Sequence, residues 1–301
     1  MSEFRGELAA LSAALIWAVA SVVYTTIGRQ LSPLMLNLAK GTIAIGLLLL
    51  TLLLRHSLFP TVPFAAIGLL LLSGVIGIGL GDTAYFAALN RLGTRRALVL
   101  ESLAPPLAAM LALVSLQEQL APISWFGILL TVSGVTWVVL ERTPTPASPS
   151  PNPSPQFLLP GIILGTLAAL GQASGGVLSR AALAGSEIDP LWSTFVRLLG
   201  GQFVLLLWAT GQQRSLQEFQ PLSNRRLLVT LIGTAFASTY LALWLQQISF
   251  KYTAAGVAQS LLATSPVFVL PIALAMGEKV SLRAILGVLV AITGVWLLFN
   301  R

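Results

Sequence analysis

Four ionisable residues stand inside otherwise apolar stretches of this chain: Lys40, Asp82, Glu101 and Arg197. A carboxylate near the middle of a bilayer costs about 2.5–3.5 kcal/mol on insertion, so Asp82 and Glu101 need partners or a water-filled cavity. Lys40 and Arg197 are suited to attract an anionic group or to neutralise these acids, and a buried carboxylate can take up and release a proton. Glu101 opens the run Glu101-Ser102-Leu103-Ala104-Pro105-Pro106. Proline has no amide hydrogen, so the Glu101 and Ser102 carbonyls lose their helical donors. Open backbone at membrane depth is tolerated only inside protein or along a cavity, and transporters place their sites there. Trp17, Tyr85, Gln172, Gln246 and Gln259 add polar or aromatic groups to apolar runs and are candidates to line a pathway. Pro105, Pro106, Pro266 and Pro271 are candidate breaks or hinges; the last two share a helix with the polar stripe Gln259, Ser260, Thr264 and Ser265 and predict a helix broken twice.

Composition defines the solvent. The 301 residues are 56% hydrophobic and 9% charged, with mean hydropathy +0.87. A soluble domain carries about 25% charged residues, so this is a membrane protein. A spanning helix needs about 20 apolar residues, and ten runs qualify: 8–27, 33–54, 64–89, 97–116, 123–140, 158–179, 191–210, 227–248, 254–276 and 284–299. The fold class expected is therefore all-α, with ten transmembrane helices. The net charge of +7 comes from cations placed singly or in pairs at helix ends, which anchors helices and sets topology rather than binding nucleic acid. The absence of cysteine and the single histidine, His56, remove thiol chemistry and histidine-rich metal sites. No cofactor, metal or enzymatic activity is expected. There is no G-x-x-x-x-G-K-[ST] run for nucleotide binding. The first apolar run ends in Ala18-Val19-Ala20, like a signal peptide, but continues through Val22-Val23 and is read as the first span.

These elements occur twice. At an offset of 160 positions, Pro106 lies over Pro266, Glu118 over Glu278, Gly127 over Gly287 and Gly134-Val135 over Gly294-Val295. Gln172 falls on Trp17 at an offset of 155, and Arg197 on Lys40 at 157, which places a cation at one depth in both copies. The Pro-rich segment 143–157 reads as an extended linker between residues 1–142 and 158–301. Five spans per half is an odd number, so the halves must cross the membrane in opposite senses, as an inverted repeat.

The stretch Asp82-Thr83-Ala84-Tyr85-Phe86-Ala87-Ala88-Leu89, with Gly93, Pro106, Glu118, Gly127 and Gly134-Val135, resembles the EamA-type repeat of the drug/metabolite transporter superfamily. Lys251-Tyr252-Thr253, Pro266, Gly277-Glu278, Gly287 and Gly294-Val295 match in the second copy. The resemblance implies a central cavity lined largely by helices 1, 3, 4, 6, 8 and 9, and movement of small metabolites, commonly outward. It also implies two cytoplasmic termini in a multi-pass membrane protein; the compact ten-helix chain without a targeting peptide suits a bacterial inner membrane. Loop cations argue the reverse: five (Arg5, Arg55, Arg180, Lys251, Arg301) share the terminal side, against ten opposite. The expected function is a secondary transporter exporting small metabolites such as amino acids by alternating access, with protons as candidate coupling ions. Lipophilic-drug efflux and a passive channel or scaffold are the alternatives. Expected partners are a small-molecule substrate and the bilayer, with the chain acting as monomer or homodimer.

Overall fold

The computed structural model describes residues 4–27, 30–92, 94–141, 155–211, 216–275 and 281–299. Gly93, most of the Pro-rich linker and the Gly277-Glu278-Lys279 turn lie outside the described residues.

Ten apolar segments long enough to cross a bilayer are helical. They are α1 (Arg5–Ile27), α2 (Pro33–Leu54), α3 (Phe64–Leu92), α4 (Arg96–Ser115), α5 (Pro122–Glu141), α6 (Pro155–Leu183), α7 (Pro190–Gly211), α8 (Arg225–Tyr252), α9 (Ala255–Ile272) and α10 (Leu282–Phe299). No strand occurs among the described residues. Two starts are set by side-chain caps, the first followed by proline at the first helical position. Asp189 Oδ1 accepts the Leu191 amide at 2.9 Å ahead of α7, and Asn224 Oδ1 accepts the Arg226 amide at 3.0 Å ahead of α8. The loop between α7 and α8 contains a 3₁₀ turn, Leu216–Ser223.

Both halves carry the same irregularities. In α3, Gly74–Gly81 is wound as a π-helix that returns to α geometry at Asp82; in α8, Phe236–Leu241 does so and returns at Ala242. The two π-segments therefore end 160 positions apart, at equivalent places. In α4 the helix Thr94–Glu101 stops, turns at Ser102-Leu103 and restarts at Ala104. In α9 the turn is Ala263-Thr264, one residue out of register with its counterpart. The turns precede the prolines, because proline fits the first turn of a helix and seats the second segment. The second break expected in α9 does not occur: Ser265–Ala275 runs unbroken through Pro271, which is exposed on the outer face.

Glycines let these helices touch backbone to backbone. A Cβ at Gly134 would sit 2.7 Å from the Gly287 carbonyl, and one at Gly294 would sit 2.9 Å from the Gly127 carbonyl. Rising numbers in α5 thus meet falling numbers in α10, and each contact maps onto the other when the halves are exchanged. This is a pseudo-two-fold axis between antiparallel equivalents, and the repeat is inverted. Likewise Gly81 meets Gly171 and Gly77 meets Gly175, with a Cβ on either α6 glycine only 3.0 Å from the facing Cα. That close approach of α3 to α6 positions the site.

Candidate functional site

Because Gly81 and Gly171 touch, the residues that follow them meet as well. Gln172 Nε2 donates to Asp82 Oδ1 at 2.9 Å, and the Gln172 carbonyl accepts from Gln259 Nε2 at 3.0 Å. One glutamine thus ties α3, α6 and α9 together. Asp82 is in electrostatic contact with Lys40 of α2, Arg197 of α7 and Glu101 of α4. Arg197 is 3% exposed and donates from Nη1 to Gln246 Oε1 at 2.6 Å. It packs on the π-segment, its guanidinium 6.0 Å from the Phe250 ring centroid and its Nη2 beside Gly77, where a Cβ would be 3.2 Å away. Lys40 lies with Nζ 5.5 Å from the Tyr24 ring centroid. Two cations and two carboxylates from α2, α3, α4 and α7 are therefore coupled through Asp82, within the spanning segments.

Inversion corrects one reading of the repeat. Lys40 and Arg197 match in the two copies, but they lie at equal depths from opposite faces, because equivalent helices run in opposite directions. Burial follows this split. Lys40, Asp82, Tyr85 and Glu101, toward the face away from the chain ends, are half-buried; Arg197, Gln246, Phe250 and Gln259, toward the terminal face, are buried.

The terminal face is closed by a polar network. Glu118, the acid that marks the repeat, accepts from Arg180 Nε at 2.5 Å and from the Ala255 amide at the start of α9 at 3.0 Å. Arg180 Nη1 also donates to the carbonyls of Phe250 and Lys251, at 3.0 and 2.7 Å. The first half thereby holds three helices of the second. Beneath this latch the Phe250 ring, fully buried, fills the space beside Gly176 and Gln259.

Trp17 donates its indole N–H to the Ser238 carbonyl at 2.9 Å, and Tyr24 and Ser238 share a hydroxyl hydrogen bond of 2.7 Å. Tyr24 and Ser238 were not among the sequence-derived candidates; the signal for Ser238 is its place in the π-segment, which the sequence does not display. The Arg180–Glu118 pair was missed too, since its members are 62 positions apart. Pro105 and Pro106 seat the second half of α4 next to Glu101, as Pro266 does in α9. Pro271 lies away from the cluster, in an apolar groove with Leu11, Val267, Phe268 and Val295. No group of three or more metal-ligating residues occurs among the described residues.

A solved crystal structure whose description states no function matches with a TM-score of 0.76 at 18% identity, covering 97% of this chain and 95% of that one. This likeness concerns the fold alone. Among curated proteins the chain has no match. The model of the EamA-like transporter family matches twice, over residues 4–140 and 159–300, once in each inverted half. With ten spanning helices in two such repeats, the chain belongs to the EamA-like transporter family, and is a multi-pass membrane transporter of the drug/metabolite transporter superfamily.

Proposed function

We propose that this transporter exports small polar metabolites, amino acids foremost, from a bacterial cytoplasm across the inner membrane by alternating access. The carrying observation is that Lys40, Arg197 and Glu101 all act electrostatically on Asp82, between broken and π-wound helices, with Arg197 buried and the other three half-buried. A zwitterion carries both charges that such a site can match, whereas a wholly apolar compound would bring no counter-charge to Glu101, which faces only the like charge of Asp82. Asp82 and Glu101 are the groups suited to carry a coupling proton. The latch at Glu118 and Arg180 would close one access path while the opposite one is open.

The lipophilic-efflux reading draws on the groove around Pro271, about 410 Å³, which reaches Thr264 at the break of α9. Proteoliposomes separate the two. Uptake of labelled amino acids should rise with an imposed pH gradient, and Asp82→Asn and Glu101→Gln should abolish that rise in folded protein. Gradient-driven movement of a lipophilic dye, with no amino acid moved, would replace the proposal with drug efflux. Unchanged uptake in both variants would remove the coupling role.

A further inference from the structure

Of the four central charges, Glu101 is the one that faces no counter-charge among the described residues. Asp82 is bonded to Gln172 and faces two cations, but neither ion pair among the described residues includes Glu101. The neighbouring charge that acts on Glu101 is Asp82, of the same sign. Its Oε2 is buried and accepts no hydrogen bond. A buried carboxylate oxygen with neither donor nor cation costs several kcal/mol in order of magnitude, so the acid either holds a proton or exchanges it for a cation from outside the protein.

The surrounding turn supplies more of the same polarity. Pro105 and Pro106 offer no amide hydrogen, so the carbonyls of Glu101 and Ser102 have no helical donor. Glu101 also ends the Thr94–Glu101 segment, and the C-terminal end of a helix bears partial negative charge. The turn is held in place: Ser102 Oγ donates to the Val99 carbonyl at 2.6 Å and bonds Thr136 Oγ1 of α5 at 3.0 Å. Tyr85 lies in electrostatic reach of the acid. The equivalent turn of α9 has Leu261 at the position of Glu101 and a single proline, Pro266. The feature therefore belongs to one half alone.

We propose that the Ser102-Leu103 break of α4 is an ammonium subsite, in which Glu101 Oε2 and the carbonyls of Glu101 and Ser102 receive the protonated amine of a primary-amine substrate. A primary ammonium carries three N–H donors and no acceptor, which matches a turn that presents acceptors and no donor. The inference rests on the transport reading, but amine binding is measurable without transport.

The test uses detergent-purified full chain and three matched probes: phenethylammonium, 3-phenylpropionate and phenylalanine. Thermal stabilisation is followed by tryptophan fluorescence. Phenethylammonium and phenylalanine should stabilise the wild type, with 3-phenylpropionate weaker, and Glu101→Gln should weaken both amines at least tenfold. Pro105→Ala with Pro106→Ala keeps the carboxylate but restores two amide donors to the free carbonyls, and should also weaken the amines. Glu101→Asp serves as a folded variant that retains the charge and part of the binding. Equal amine binding in wild type and Glu101→Gln would overturn the subsite. Stabilisation by sodium chloride over potassium chloride, lost in Glu101→Gln, would assign the turn to a metal ion and overturn it as well. Counterflow of the same probes reads the transport claim separately. Amine binding without counterflow keeps the subsite and removes the transport reading, whereas counterflow of 3-phenylpropionate as fast as phenethylammonium removes the subsite and keeps transport.

Discussion

Glu118→Gln should unlatch the terminal face. Glu118 holds Arg180 at 2.5 Å and the Ala255 amide at 3.0 Å, and the two ionic side chains are only 16% and 17% exposed. A hydrogen bond to a charged group contributes about 1.5–3 kcal/mol at this degree of burial. Glutamine keeps one acceptor oxygen but loses the charge and half of the bonding. If the pair exists only in the state closed on this face, the closed state should lose about ten- to a hundredfold in population, at about 1.4 kcal/mol per decade. The chain has no cysteine, so a single reporter can be introduced without background. Val177 lies on α6 between Gln172 of the site and Arg180 of the latch, and it is 6% exposed. Maleimide labelling of Val177→Cys from the terminal face should be slow in the parent and at least tenfold faster with Glu118→Gln. A single melting transition and an unchanged elution profile would exclude unfolding. Equal labelling rates in folded protein would refute the latch and leave Glu118 as a helix cap alone.

Gly134→Ala should destabilise the chain by about 1–3 kcal/mol, because the new Cβ meets the Ala291 backbone across the α5–α10 contact. Gly46→Ala, with nothing within 4 Å, should be neutral or stabilising by about 0.5–1 kcal/mol. Thermal melts of the two in one detergent should differ in sign. Gln172→Leu removes the hydrogen bond to Asp82 yet leaves the backbone carbonyl for Gln259, and should cost about 1.5–3 kcal/mol with a tenfold or greater loss of uptake. Full uptake in Gln172→Leu would show that Asp82 needs no fixed orientation.

The architecture was legible because bilayer thickness sets the length of every apolar run, and because Gly127, Gly134, Gly287 and Gly294 keep their spacing where α5 and α10 touch. Opposite charges at 40, 82, 101 and 197 were legible as exceptions to that apolar background. Which group faces which was not. The Asp82–Gln172 bond joins residues 90 positions apart, and it depends on a helix contact that composition does not display. The π-segments were hidden too, since Gly74–Gly81 has the same hydropathy wound either way. Prolines marked the breaks only approximately: proline tolerates a first turn, so the bends lie at 102–103 and 263–264. Pro271 shows the converse, a ring accommodated within an unbroken helix at the outer surface. In the sequence Glu118 stands out only as an acid repeated at Glu278, and its partnership with Arg180 required the fold.

The central claim is that the inverted halves carry a solute across the membrane through the charged site. Counterflow into proteoliposomes preloaded with an unlabelled amino-acid panel tests it most directly. Transient accumulation of labelled compound above equilibrium, lost in Asp82→Asn, is the result expected of a carrier. Equilibration without overshoot would indicate a channel, and silence across the panel from folded, reconstituted protein would contradict the amino-acid assignment.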